Sequence, residues 1–212
     1  MTGNAPGLFI VFEGIDGSGK STQIRLLAKR LQERGMNVVE TYEPTNGEFG
    51  RRIRELYANR SSVSPQEELE LFVKDRSRHI EQLIGPSLAA GSVVLCDRYF
   101  LSSAAYQGAA GLDPAAIIAR HAFAPAPDLA LIIEIAPEES VRRITEKRGD
   151  VLNDFEQLES LKKVDGIFKR LDLPYVKRID GSSSADAVHQ QILRHVEKLL
   201  PDIHLSSNRD NR

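Results

Sequence analysis

The stretch Phe12–Thr22, FEGIDGSGKST, constrains this chain more than any other feature. Gly14, Gly19, Lys20 and Ser21 stand at the spacing G-x-x-x-x-G-K-[ST]. An apolar run precedes them and a helical pattern follows. Glycines at such a turn let the backbone curl until several N–H groups converge on one anion. The helix that starts there adds positive potential. The loop Gly14, Ile15, Asp16, Gly17, Ser18, Gly19, Lys20, Ser21 and Thr22 is therefore expected to cradle nucleotide phosphates. In that arrangement Lys20 reaches the β- and γ-phosphates and the Ser21 hydroxyl ligates Mg²⁺. A strand must enter the loop and a helix must leave it, so the motif also fixes the start of the fold.

The rest of the chain fits that start. Apolar runs at Leu8–Glu13, 37–42, 92–97, 129–135 and 175–180 read as five strands, separated by helical stretches. Ile24, Leu27, Ala28 and Leu31 recur at helical spacing before Gly35, and Val188, Ile192, Val196 and Leu199 mark the last helix. Continuous apolar strands alternating with helices predict a three-layer α/β fold of the P-loop NTPase type, with a five-stranded parallel sheet covered on both faces. With 212 residues, one domain over 1–200 is expected, with a loose polar tail at 201–212.

Composition narrows the ligand. Basic and acidic residues number 28 and 30, a formal net charge of -2, so no global field draws in nucleic acid and an anionic ligand must be met by local cations. The single cysteine, Cys96, suits a reducing cytosol, and no apolar run approaches the ~20 residues that span a bilayer. The segment MTGNAPG lacks the basic and apolar regions of a signal peptide. A cytoplasmic protein without membrane or nucleic-acid partners is expected. Neither an N-K-x-D guanine-reading segment nor an L-S-G-G-Q signature occurs, which leaves small kinases ahead of nucleotide switches.

Two further stretches carry chemistry. Asp97 and Arg98 follow the third strand directly, and ligands of open parallel sheets sit beyond the strands' carboxyl ends. Asp97 could hold a metal-bound water or orient the acceptor. Arg98 offers a planar donor pair matched to a phosphate dianion. The second is SPQEELELFVKDRSRHIEQLI, which opens with Ser64 as N-cap, Pro65 at the first helical position and Glu67 three residues after the cap. Its apolar stripe is Leu69, Phe72, Val73, Ile80, Leu83 and Ile84, and Arg76 lies on it. A buried unpaired guanidinium is costly, so Arg76 has an acidic partner or faces a cavity that holds a polar ligand. Phe72, one turn away, could stack on a flat ring.

From Leu8 to about Leu200 the chain resembles thymidylate kinases, the P-loop enzymes that convert dTMP to dTDP in dTTP biosynthesis. The resemblance rests on FEGIDGSGKST, on DRYFLSSAAYQG and on the LFVKDR helix, the second of these being the most discriminating. It implies ATP as phosphoryl donor, Mg²⁺ held through Ser21 and Asp97, dTMP as acceptor, and a homodimer. It further implies that Asp16 approaches the sugar 3'-hydroxyl, Phe72 stacks on thymine, Arg76 bonds the base's carbonyl edge and Arg98 contacts the dTMP phosphate. Ser102 or Ser103, Tyr106 and Gln107 would surround the deoxyribose and base. Some members carry an arginine in the loop where this chain has Gly17. The resemblance then assigns the catalytic cation to a lid at about 142–155, with Arg142, Arg143, Lys147 and Arg148 as candidates and Arg148 preferred. Many relatives have an arginine after the second strand, whereas this chain reads TYEPTNGEFGRR, so Arg51 or Arg52 is the expected second phosphate ligand.

Overall fold

The computed structural model describes residues 7–58, 60–148, 152–153 and 155–200. Five strands form one parallel sheet: β1 (Leu8–Glu13), β2 (Val38–Tyr42), β3 (Val93–Asp97), β4 (Leu129–Glu134) and β5 (Val176–Asp180). Their order is β2-β3-β1-β4-β5, with Leu8 level with Val93 and Ile10 with Leu129. β1 thus runs down the middle and delivers the phosphate loop to the centre of the sheet's carboxyl edge.

Period-two alternation sends the strand residues to two separate cores. On one face Ile10, Phe12, Leu95, Leu131 and Ile133 pack with Ile24, Leu27 and Leu31 of α1 (Lys20–Glu33) and Val188, Ile192 and Val196 of α9 (Ala185–Val196). On the other, Phe9, Val11, Val94, Cys96, Ala130 and Ile132 pack with Leu101 and Ala105 of α5 (Phe100–Ala109) and with Leu161, Val164 and Phe168 of α8 (Leu158–Phe168). Burying each large apolar side chain contributes about 1.5–3 kcal/mol. Three layers result, as the strand pattern predicts. α9 ends at Val196, so Leu199, expected on its apolar stripe, is instead exposed.

α3 (Pro65–His79) begins with the capping box read from the sequence: Ser64 Oγ accepts from Glu67 N, and Glu67 Oε2 accepts from Ser64 N. Its far end departs from expectation. The helix gives way to a π turn over Ile80–Ile84 before α4 (Gly85–Ala89). The wider turn rotates the side chains that follow, so Ile84 is fully buried while Leu83, predicted in the core, is 36% exposed. Three more α-helices complete the described fold, at Glu48–Glu55 (α2), Pro114–Arg120 (α6) and Pro137–Arg148 (α7).

Candidate functional site

The loop closes as its glycines require. Gly14 and Gly17 have φ of 127° and 72°, a left-handed region that side chains rarely adopt. A Cβ on Gly17 would lie 2.9 Å from the Ser140 carbonyl oxygen of α7. The close pass of α7 therefore leaves no room for a side chain at this bend. Ser140 itself donates from Oγ to the Asp16 carbonyl at 2.5 Å and pins the loop's outer bend. Lys20 is buried, its Nζ donating to the carbonyls of Gly14 (3.2 Å) and Ile15 (3.1 Å). Burial lowers its pKa, and Arg98 adds to the effect. Asp16 through Thr22 line a cavity of about 1040 Å³, whereas Gly14 and Ile15 do not line it.

The residues expected to hold a divalent cation meet. Ser21 Oγ donates to Asp97 Oδ2 at 2.8 Å, across 76 positions of sequence. Asp97 Oδ1 is buried without a hydrogen-bond partner among the described residues. A buried carboxylate oxygen left unmatched beside a hydroxyl suits a hard cation that takes oxygen ligands. The donor set thus fits Mg²⁺, which Ser21 and Asp97 would hold.

Arg98 sits in an unusual backbone conformation, the single described non-glycine residue with positive φ (70°). Its guanidinium donates to Asp16 Oδ1 (2.8 Å), Tyr106 OH (3.1 Å), Ser102 Oγ (3.0 Å) and the Gly14 carbonyl (3.1 Å). Tyr106 OH donates in turn to Asp16 Oδ2 at 2.8 Å. Burial pushes the Asp16 carboxyl up, but the charges of Arg98 and Lys20 and the Tyr106 and Arg98 hydrogen bonds outweigh it and hold the pKa at about 2. Asp16 is therefore ionised at neutral pH, with a third of its side chain open to solvent.

Beyond Arg98 lies a second cavity of about 360 Å³ with an aromatic wall of Tyr57, Phe72, Tyr106 and Phe155, closed by Ser102, Ser103 and Gln107. Asp16, Arg98, Pro44, Tyr57 and Glu156 line both cavities, which thus meet end to end. Gln107 is fully buried and its amide has a fixed sense. Nε2 donates to Glu68 Oε1 at 2.6 Å, which a carboxylate demands, and Oε1 is left without a described partner. Glu68 is oriented by Arg60, which donates to it at 2.7 and 2.9 Å.

Of the two alternatives for Arg76, the acidic partner is the one found. Arg76 is 1% exposed, and its Nε and Nη2 donate to Glu43 Oε2 at 2.8 and 2.6 Å. Nη1 donates to Ser103 Oγ (3.2 Å) and His121 Nε2 (2.6 Å). Arg76 does not line the smaller cavity, but Ser103, which it holds, does. His121 Nδ1 donates to the Ile117 carbonyl at 2.8 Å, which fixes the neutral tautomer. Burial, and then the Arg76 charge, lower its pKa to about 4. The folded chain therefore binds fewer protons here than the unfolded chain, so this group's contribution is present above pH ~6.5 and is lost as pH falls towards 4. Thermal unfolding between pH 7 and 4.5 should show a steeper fall in Tm for the wild type than for His121→Gln; equal slopes would remove His121 from the account.

The basic residues sort differently from the sequence expectation. Arg51 and Arg52 are exposed, and Arg51 is engaged with the Asn46 carbonyl. Arg54 instead lines the larger cavity, held by the Pro44 carbonyl and Asn46 Oδ1. Along α7, exposed Arg142 is tied to Glu139 and Glu146, while Arg143 lines the larger cavity and bonds Glu139 and the Gly181 carbonyl. The side chains of Lys147 and Arg148, with 149–151 and 154 of the expected lid, lie outside the described residues, as does the tail 201–212. Sequence reasoning passed over Glu13, Glu43, Glu68, Tyr57 and Phe155. Glu13 closes β1 and Glu43 follows β2 directly, a place at the carboxyl edge that was the available signal; Phe155 stands in a polar stretch and gave none.

A phosphate-loop cavity and a second, adjoining cavity that share one arginine and one aspartate define a P-loop phosphotransferase of the nucleotide kinase class. The comparisons with known proteins make this specific. The family model described as thymidylate kinase matches residues 12–192. A protein of Desulfotalea psychrophila named thymidylate kinase is 51% identical over 197 residues, covering 93% of this chain and 98% of its own length. A Xanthomonas campestris thymidylate kinase is 45% identical, covering 92% and 86%, and one of Xylella fastidiosa 42%, covering 92% and 88%. The chain belongs to the thymidylate kinase family.

Proposed function

We propose that the chain transfers the γ-phosphoryl group of ATP to dTMP, giving dTDP for dTTP synthesis. The observation that carries this reading is the junction of the two cavities at Asp16 and Arg98. The larger takes the donor's triphosphate along the loop amides, and the smaller takes a nucleoside whose phosphate points back at Arg98. The flat, aromatic smaller cavity suits a pyrimidine, with Phe72 as its stacking surface. Gln107 Oε1, aimed by Glu68, is an acceptor that fits the imide N–H of thymine and is mismatched to cytosine. Tyr106 against the sugar disfavours a ribose.

The acceptor oxygen is already anionic, so transfer needs position and charge neutralisation more than a base. Arg98 releases Asp16 to the sugar hydroxyl and turns its donors to the acceptor phosphate. Lys20 leaves the Gly14 and Ile15 carbonyls for the β- and γ-phosphates. Ser21 and Asp97 would hold Mg²⁺, which supplies Lewis-acid neutralisation of the donor phosphates. A cation from α7 faces the transferred group; Arg143 is placed at the cavity, and Arg148 is the candidate that the family resemblance prefers. Arg54 is the proposed second cation for the acceptor phosphate.

Initial rates with ATP and Mg²⁺ across dTMP, dUMP, UMP, dCMP and AMP test the reading. dTMP should lead, with dCMP at least ~10²-fold lower in kcat/KM because a buried acceptor would be left unmatched. Slow ATP hydrolysis indifferent to every acceptor would instead identify a nucleotide switch. Phe72→Ala should raise the KM for dTMP by about 5–150-fold, the worth of one base–aromatic stack, while leaving the KM for ATP in place. Equal change in both would sink the stacking role.

The family resemblance also supports a cytosolic homodimer, with residues 1–200 as one domain, 142–155 as its lid and 201–212 as a tail. Among the described residues no helix is long and apolar enough to cross a membrane. Light scattering should give twice the mass of one chain.

A further inference from the structure

We infer that Glu13 is a positioning residue that sets the acceptor-facing pose of Arg98 through the hydroxyl of Ser102. Glu13 ends β1, just before the phosphate loop, and is fully buried. Its Oε1 accepts from the backbone N–H groups of Tyr99 (3.0 Å) and Ser102 (3.3 Å), and its Oε2 accepts from Ser102 Oγ at 2.5 Å. A hydroxyl has one proton to give. Spent on Glu13, it leaves Ser102 Oγ as a pure acceptor, and Arg98 Nη1 donates to it at 3.0 Å. The polarity of the chain Arg98 to Ser102 to Glu13 is thus set at the carboxylate.

The same short segment governs the backbone. Arg98, at φ 70°, occupies a conformation that persists only when its surroundings over-determine it. Arg98 N donates to the Phe12 carbonyl at 2.9 Å, and the next residue's N–H goes to Glu13. Residues 12 and 13 therefore clamp both sides of the strained position, and the first turn of α5 has no capping side chain of its own at Tyr99. Burial raises the Glu13 pKa, opposed by the Ser102 bond and the charges of Arg98 and Arg76.

A simple helix cap would explain the two backbone contacts but not a dependence of Arg98 on the charge of residue 13. Glu13→Gln separates the two. The amide oxygen still accepts from both N–H groups, while its NH₂ faces Ser102 Oγ and turns the hydroxyl proton towards Arg98. The expected result is a ~10-fold rise in KM for dTMP with the KM for ATP and Tm unmoved. Adding Ser102→Ala to Glu13→Gln should cost less than the product of the two single losses, because both cut one relay. Multiplied losses would mean that Ser102 acts on substrate directly and would overturn the inference, as would an unchanged KM in Glu13→Gln.

The kinetic arm rests on the dTMP reading, so wild-type turnover of dTMP is measured first. A crystal structure of Glu13→Gln, or of Ser102→Ala if the former does not fold, needs no substrate. Arg98 Nη1 displaced from the Gly14 carbonyl supports the relay even if dTMP proves not to be the acceptor; an Arg98 unmoved in the variant refutes it.

Discussion

Arg98→Ala is expected to lower kcat/KM for dTMP by roughly 30- to several thousand-fold, the 2–5 kcal/mol associated with losing one partner of a buried charge-assisted contact. The effect should fall mainly on the acceptor. Arg98 touches both the loop carbonyl of Gly14 and the acceptor-side Asp16, Ser102 and Tyr106, yet its guanidinium lies where the two cavities join. Without it Asp16 loses the charge that does most to offset burial, so its pKa should rise from about 2. The acid limb of the pH–rate profile should move to higher pH in the variant. Arg98→Lys keeps the charge but not the planar donor pair, and should recover only part of the loss. A variant with dTMP kinetics like the wild type would remove Arg98 from the acceptor site.

Lys20→Ala should cut kcat by ~10³-fold or more, in line with removal of a cation that offsets charge on a transferring phosphoryl group. Its present contacts are two carbonyls of its own loop, so the stability of the fold depends little on it. The variant should therefore unfold near the wild-type temperature while failing to turn over. Retained transfer, measured by dTDP formation under saturating ATP and dTMP, would refute the loop assignment.

The parts of the fold legible in the sequence were those that repeat. Apolar runs gave the central strands β1, β3 and β4 within a residue, because a strand buried on both faces has no polar alternation to confuse it, whereas the half-exposed edge strands β2 and β5 carried a weaker signal. The phosphate loop was legible because its glycines answer to backbone geometry, as the left-handed Gly14 and Gly17 bear out. The π turn at Ile80–Ile84 was not, since one wider turn leaves no mark in composition yet turns Leu83 outward. Arg76 was flagged as anomalous on an apolar stripe, but its partner Glu43 lies 33 positions away and only the fold brings them together. Gln107 was expected near the base through the family resemblance, and it lines the smaller cavity; the sense of its amide, set by Glu68 39 positions away, was not legible. Arg54, rather than Arg51 or Arg52, lines the larger cavity because it stands one turn further along α2 than Arg51, and distance along a helix leaves no mark in composition.

The measurement that tests the central claim most directly is the crystal structure of the chain with dTMP. The account predicts the thymine ring lying flat on Phe72 with Gln107 Oε1 on its imide N–H, and the phosphate on Arg98 at the mouth of the loop cavity. A nucleotide bound elsewhere, with Arg98 still closed on Asp16, would contradict it.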